Sequence, residues 1–463
     1  MSAASGQPSR SHGLTRSMKV MGVLLLTLSG VTPAASVFVG VPDIFAQAGT
    51  GAALSLIAGA LLVVPIAFIY AELSSAFPVA GGEYVMTGRT LGPAAGYAVL
   101  GLTAFLNMLT PAVLALGIAP YLDSFLPALD DRVWAVGVIV VTTLLGVLHI
   151  RTNAWVTGVF LALELAALAV LAVLGFGHAV RPASELIAHP VLLNGNALAP
   201  ASLAAIGLSS SVSVYVFNGF GGAVYFAEEQ HDAPRRVATT ILWAGAITVA
   251  AIVIPVVAVL MGAPDLKDLF SAKNPFGDFI AARGGPVLAT AVNIAIAVAI
   301  LNAVLATILQ NGRFFFSTGR DGAWHPMIDR MFLLTHPRFH SPWAATLAAG
   351  ATAVAACFLG LEKLLMLSGA GLTVTYLVLC WAVIMGRRNG STLHAPRLSL
   401  LHPILPVLGI AGVGFILWMA ARDSDNGRPG LIAAAASIGV SLVYYWAVVR
   451  RRGAWTIRNP EEG

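Results

Sequence analysis

Long apolar runs alternate with short stretches of Gly, Pro and charge over nearly all of the 463 residues. A bilayer core about 30 Å thick takes roughly 20 apolar residues of helix. Runs near that length fall at 18–42, 52–76, 94–120, 133–150, 154–177, 199–228, 237–262, 286–316, 343–359, 362–386, 402–421 and 430–450. Helix is the element they should form, because an unpaired backbone group in lipid costs several kcal/mol. The pattern predicts an all-α polytopic membrane protein with twelve transmembrane helices.

Two of the runs are interrupted. In the first, Ser29-Gly30-Val31-Thr32-Pro33-Ala34-Ala35-Ser36 contains a proline that cannot donate to the helix ladder and disfavours helical geometry at Thr32. In the sixth, Phe217-Asn218-Gly219-Phe220-Gly221-Gly222 has three glycines in four positions, each lowering helical stability by about 1 kcal/mol. These are the first helices of two successive groups of five, the placement expected when inverted repeats set broken helices around a midplane site. The ordinary abundance of Gly and Pro in membrane helices explains either break alone, but less readily their matched positions. The expected organisation is a tail at 1–17, one five-helix repeat at 18–177, an extracytoplasmic loop at 178–198, a second repeat at 199–386, two further helices within 387–450, and a tail at 451–463.

Composition strengthens the membrane reading. Only 10% of residues are charged and mean hydropathy is +0.84, against about 25% charged in soluble domains. Most of the 26 Lys and Arg fall in the loops on the side of the N-terminus. Cytoplasmic loops are enriched in these residues, so both termini are expected in the cytoplasm, the protein being a multi-pass component of the inner (plasma) membrane. Topology then accounts for the net charge of +5 without nucleic acid as a partner. The first 17 residues lack the apolar core of a signal peptide. Cys357 and Cys380 both lie in predicted spans, and His149, His325, His336 and His340 have no metal-site spacing, so neither a disulfide framework nor a metal or other cofactor is expected. No Gly-x-x-x-x-Gly-Lys phosphate loop is present, and no enzymatic chemistry is expected.

Charge inside the spans is rare. Glu164 lies 13 residues from Arg151, about 20 Å along a helix, deep in the bilayer. An acid there faces a cavity or relays ions, or else bonds a neighbouring helix as a neutral group. The first reading makes Glu164 a candidate for proton or cation coupling. Asn107, with Thr110 and Pro111, either lines a pathway or joins helices. The hydroxyls of Thr32 and Ser36 either supply contacts to a solute or bond back to their own helix. Glu72, Glu228 and Glu229 sit at helix ends close in sequence or topology to Arg89, Arg235 and Arg236. Glu72, Glu228 and Arg235 are candidates for an inner gate of ion pairs, solvated charge being the plainer alternative for Glu229.

Several segments resemble the amino acid-polyamine-organocation permeases, over most of the chain. Glu72-Leu73-Ser74-Ser75-Ala76-Phe77-Pro78-Val79-Ala80-Gly81-Gly82-Glu83-Tyr84 is similar to that family's sequence after helix 2. Glu228-Glu229 with Ala233-Pro234-Arg235-Arg236 resembles the end of helix 6, and Arg313 with Gly319-Arg320-Asp321-Gly322 and Pro326 the segment after helix 8. The resemblance implies a LeuT-type fold of five plus five inverted helices with two C-terminal helices, alternating access, and a substrate held at the two breaks. Its amino and carboxylate groups would meet Gly30, Val31, Thr32, Ala34, Ala35 and Ser36 in helix 1, and Phe217, Asn218, Gly219, Phe220 and Gly221 in helix 6. It also places Asn302 of helix 8 beside the helix 1 break. Helix 1 departs from the family pattern, with Ala34-Ala35-Ser36-Val37-Phe38 where Gly-x-Gly-Ile-Phe is usual. Some members carry a Lys near Glu164, and the acid here inverts that charge. The function implied is secondary active transport of amino acids by proton-coupled symport or exchange. A polyamine or organic cation carrier and a non-transporting membrane solute sensor are the alternatives.

Overall fold

A computed structural model describes residues 18–122, 130–148, 150–339, 341–396, 399–424, 427–453 and 455–458. The expected tail at 1–17, His149 and His340 lie outside the described residues. Among those described, nine helical stretches are long and apolar enough to cross a membrane. The main helices are α1 (Val20–Val31), α2 (Ala52–Ala76), α3 (Pro93–Leu116), α4 (Asp131–Gly146), α5 (Ile150–Gly177) and α6 (Leu203–Val216). They continue as α7 (Ala233–Gly262), α8 (Pro286–Arg320), α9 (Trp343–Ala356), α10 (Leu361–Arg388), α11 (Ile404–Arg422) and α12 (Gly427–Tyr444). Leu61, Val173, Trp243, Ile254 and Val440 project outward from the bundle. Apolar surface on that scale fits a lipid surround rather than water.

Both interruptions are present. α1 stops at Val31, and Thr32 takes φ 48°, ψ 72°. For a residue other than glycine this left-handed geometry costs about 1–2 kcal/mol, and a β-branched side chain suits it poorly. Beyond it the chain resumes as helix at Pro33–Ala35, widens into a π-helical turn at Ser36–Gly40, and continues at Val41–Ala48. α6 ends at Val216, Gly219 takes φ 112°, and the chain runs on as a 3₁₀ helix over Phe220–Glu229. Ten residues of 3₁₀ is far beyond its usual three or four, and such stretches often mark hinges or strained sequence.

Three stretches expected as loops contain structure. In the expected 178–198 loop a short helix, Ala183–Ala188, precedes an antiparallel pair, Val191–Asn194 with Ala197–Pro200, whose second strand runs two residues into the predicted sixth span. The fold is thus nearly, rather than wholly, α. The hairpin turns through Gly195-Asn196 with Gly195 at φ 58°, a glycine-first pair of the kind a tight primed turn selects. Helices Leu266–Ser271 and Pro275–Gly284 fill the loop before α8, and Pro326–Phe332 the one after it. His325 caps that last helix.

At the end of the bundle that carries most of the basic residues, Met18 forms backbone bonds with Glu229 and His231. The start of α1 is thereby tied to the end of the 3₁₀ segment.

Candidate functional site

The two breaks touch. A Cβ built on Gly219 would lie 2.9 Å from the Val31 Cα, so the backbones of the two interrupted helices meet where only glycine fits. Around this contact is a cavity of about 100 Å³, several times the roughly 10–15 Å³ that one water needs. Gly30, Val31, Thr32, Ala35 and Ser36 line it from the first helix, and Asn218, Gly219 and Gly221 from the sixth. Asn107 and Thr110 of α3 and Tyr215 of α6 also line it.

Three residues expected at the site lie outside the lining. Phe217 is fully buried against Gly59 of α2. Phe220 is fully buried and packs on Tyr70 and Tyr376 at ring separations of 5.8 and 6.4 Å. Both rings pack into the interface between helices instead of facing the cavity. Ala34 is fully buried, and its backbone amide is directed toward Glu164.

Glu164 is completely buried on α5, behind the helix 1 break. Its carboxylate accepts hydrogen bonds from Thr32 Oγ1 at 3.2 Å and from Asn302 Nδ2 at 3.4 Å. Thr32 lines the cavity on its other side, so one strained residue stands between the acid and the space for a solute. Asn302 reaches the acid rather than the cavity.

Other lining residues are not apparent from the sequence. Thr307, Gln310 and Asn311 of α8 lie at i, i+3 and i+4, one helical face, and all three line the cavity. Polar residues at helical spacing inside an apolar run are the signal that could have found them. Gln310 fits because Gly30 and Gly222 leave room: a Cβ on either would fall 2.1 or 2.7 Å from its Nε2. Glu83, which starts the helix Glu83–Leu91, also lines the cavity with Tyr70 and Tyr225. Nothing in its immediate sequence separates it from a surface acid.

At the basic end, three buried glutamates hold arginines. Glu72 meets Arg387 through two bonds of 2.7 Å. Glu228 meets Arg320 at 2.7 and 2.8 Å, and Glu229 meets Arg313 at 2.7 Å. Arg235 and Arg236 are exposed, and Arg236 faces Asp232 instead. Arg89 lies over the Phe77 ring. The partners expected from sequence proximity are therefore replaced, because the first turn of α7 points outward whereas the last turns of α8 and α10 run beside the buried acids. Two of these pairs clamp the 3₁₀ segment to α8. Breaking a buried pair from one side costs about 3–5 kcal/mol. Arg320→Ala and Glu228→Ala should each lose that much, and the double variant much less than the sum, as read by thermal unfolding in detergent. Additive losses would mean the pair is not coupled.

Asp321, just past α8, accepts from the Tyr84 hydroxyl at 2.8 Å and from the Arg458 amide at 3.1 Å. Burial raises its carboxyl to about 6, against the opposing pull of the Arg320 guanidinium. A group raised in the fold contributes stability below its ordinary value of 3.8 and loses it as pH climbs through about 6. Stability should therefore fall between about pH 4 and 6 by an amount on the order of 3 kcal/mol, and Asp321→Asn should flatten that step in melts across the range. An unchanged step would assign it to another group.

A polytopic bundle whose two broken helices meet at a cavity lined by both apolar and polar side chains is the build of a membrane solute carrier. The chain belongs to the amino acid permease family, whose model matches residues 19–448. It is 26% identical over 452 residues to an uncharacterized transporter of Mycobacterium tuberculosis, covering 96% of this chain and 94% of that one. A methylthioribose transporter of Bacillus subtilis is 24% identical over 433 residues, 89% of each chain. A branched-chain amino acid permease of Lactococcus lactis is 24% identical over 427 residues, 87% of this chain and 88% of the relative.

Proposed function

We propose that the protein is a secondary active transporter of amino acids or closely related amines, working by alternating access with a proton as the coupling ion. In this reading α1 to α12 form twelve membrane spans, the first two groups of five within 18–177 and 199–386 being inverted repeats. The positively charged loops face the cytoplasm, as do both termini, in the plasma membrane. The observation that carries the reading is the Glu164–Thr32 hydrogen bond across the helix 1 break, which joins a buried acid to the solute cavity.

The break supplies the binding chemistry. The positive end of the segment starting at Pro33, where Ala35 lines the cavity, suits a solute carboxylate, and free carbonyls near Gly219 suit an ammonium. Glu164 has neutral partners only, and such an acid in a membrane is a place where a proton binds and leaves. Proton transfer there would change what Thr32 bonds, and so the shape of the helix 1 break against which the solute rests. The arginine pairs to Glu72, Glu228 and Glu229 close the cytoplasmic side and must part for release. Arg320 takes the gate role that sequence proximity gave to Arg235.

The alternatives make different predictions in one assay. Purified protein in liposomes should accumulate labelled amino acids or amines when an inward proton gradient is imposed. Binding without flux would favour the sensor, and flux indifferent to the gradient would favour exchange.

A further inference from the structure

Among the described residues, five glutamates are buried: Glu72, Glu83, Glu164, Glu228 and Glu229. Three of them hold an arginine. Glu164 lies behind helix 1, which leaves Glu83 as the carboxylate that lines the solute cavity. Its two oxygens each accept one phenolic hydroxyl, from Tyr70 at 2.8 Å and from Tyr225 at 2.7 Å. Those two bonds fix the carboxylate in place but bring no positive charge. A buried carboxylate is ordinarily paired, and one held by neutral donors alone still lacks the cation that would offset its desolvation.

A second observation comes from α8. Gln310 is 7% exposed, lines the same cavity, and its Nε2 has no hydrogen-bond partner. The cavity thus offers an unused donor beside the helix 1 break and an unbalanced anion where the helix Glu83–Leu91 begins. Gln310 sits against Gly30 and Gly222, whereas Glu83 is held by Tyr70 and Tyr225, so a solute that satisfies both has its acceptor group and its cation apart.

We infer that Glu83 is the cation-binding group of the solute site, and that the preferred solute carries a positively charged amine remote from its carboxylate or other acceptor end, as a cationic amino acid or an amine of similar length does. This rests on the transport reading above and narrows its substrate class. Tyr70 and Tyr225 act as positioning residues that aim the carboxylate, and their hydroxyls can move off it as the ammonium arrives.

Lysine and norleucine are close in size and shape, with an ammonium or a methyl ending the side chain, so they isolate the charge. The full-length protein in liposomes should take up labelled lysine at least about tenfold better than labelled norleucine, and Glu83→Gln should reduce that ratio about tenfold or more, the usual scale for removing one partner of a buried charge pair. Tyr70→Phe, which keeps the carboxylate but removes one of the two hydroxyls that aim it, should reduce the ratio less than Glu83→Gln does. Thermal unfolding of the unaltered protein gives an independent readout if Glu83→Gln fails to fold: lysine should raise the midpoint and norleucine should not. Equal uptake and equal midpoint shifts for the two solutes would overturn the role of Glu83 while leaving an amino acid permease intact. If neither these nor any other amino acid or amine crosses the membrane, the transport reading falls and this inference with it.

Discussion

Gly219→Ala should abolish uptake and lower the thermal stability of the protein. Two costs combine at this position. The backbone sits at φ 112°, where an L side chain is strained by about 1–2 kcal/mol. The new methyl would also lie 2.9 Å from the Val31 Cα, and because that atom is backbone it cannot swing away as a side-chain tip can. Forcing extra volume into a packed contact typically costs another 1–3 kcal/mol or so. The only relief is for the two broken helices to separate, which changes the cavity they enclose. Gly30→Ala should be milder, since its obstacle is the mobile amide of Gln310. Uptake and melting temperature of the two variants, measured side by side, check the ranking; wild-type uptake by Gly219→Ala would show that the contact between the breaks is dispensable.

Glu164→Gln should remove the stimulation of uptake by an inward proton gradient while leaving solute binding detectable. Glutamine keeps the length; its Oε1 can accept from Asn302 and its Nε2 can donate to the Thr32 hydroxyl, so the helix 1 break keeps most of its support. What it loses is the ability to bind and release a proton. The expected signature is a flat dependence of uptake on external pH, with solute binding to the detergent-solubilised variant changed far less than flux. A pH profile that survives the substitution would move coupling elsewhere, Glu83 being the next acid at the cavity. Thr32→Ala should give an intermediate result, because it leaves the acid but cuts its 3.2 Å link to the cavity wall.

The parts of the site that local chemistry determines are legible in the sequence alone. Pro33 has no amide hydrogen, and Gly219, Gly221 and Gly222 weaken one turn, so both breaks can be located by residue. Glu164 stands out because an acid in an apolar run carries a cost that demands a reason. Asn302 and Thr32 each draw notice separately, and the fold brings both to that acid. What sequence does not convey depends on rotation about helix axes and on which ends meet. Phe217 and Phe220 belong to the break in sequence, yet their rings rotate into the packing between helices. Arg235 is close to Glu228 in sequence but is turned outward, whereas Arg320 arrives from the far end of another long helix. Glu83 sits at the start of a short helix, in a segment whose resemblance to permeases rests on Gly81 and Gly82 as much as on the acid beside them. Its place in the cavity is created by Tyr70 and Tyr225 from two other segments.

The loops show the same division. Gly195-Asn196 is a turn signal in its own right, but the strands on either side are only four residues long, too short to stand out among apolar runs. They are held partly from outside: the Thr50 hydroxyl accepts from the Val191 amide at 2.8 Å. A tertiary anchor of this kind leaves no periodic trace.

The central claim is that solute at the helix breaks and a proton at Glu164 are transported together. The direct measurement is uptake by the purified protein in liposomes, with labelled amino acids and amines, with and without an inward proton gradient. Accumulation above the external concentration that requires the gradient and collapses with an uncoupler is the predicted result. Saturable binding with no gradient-dependent accumulation would contradict it.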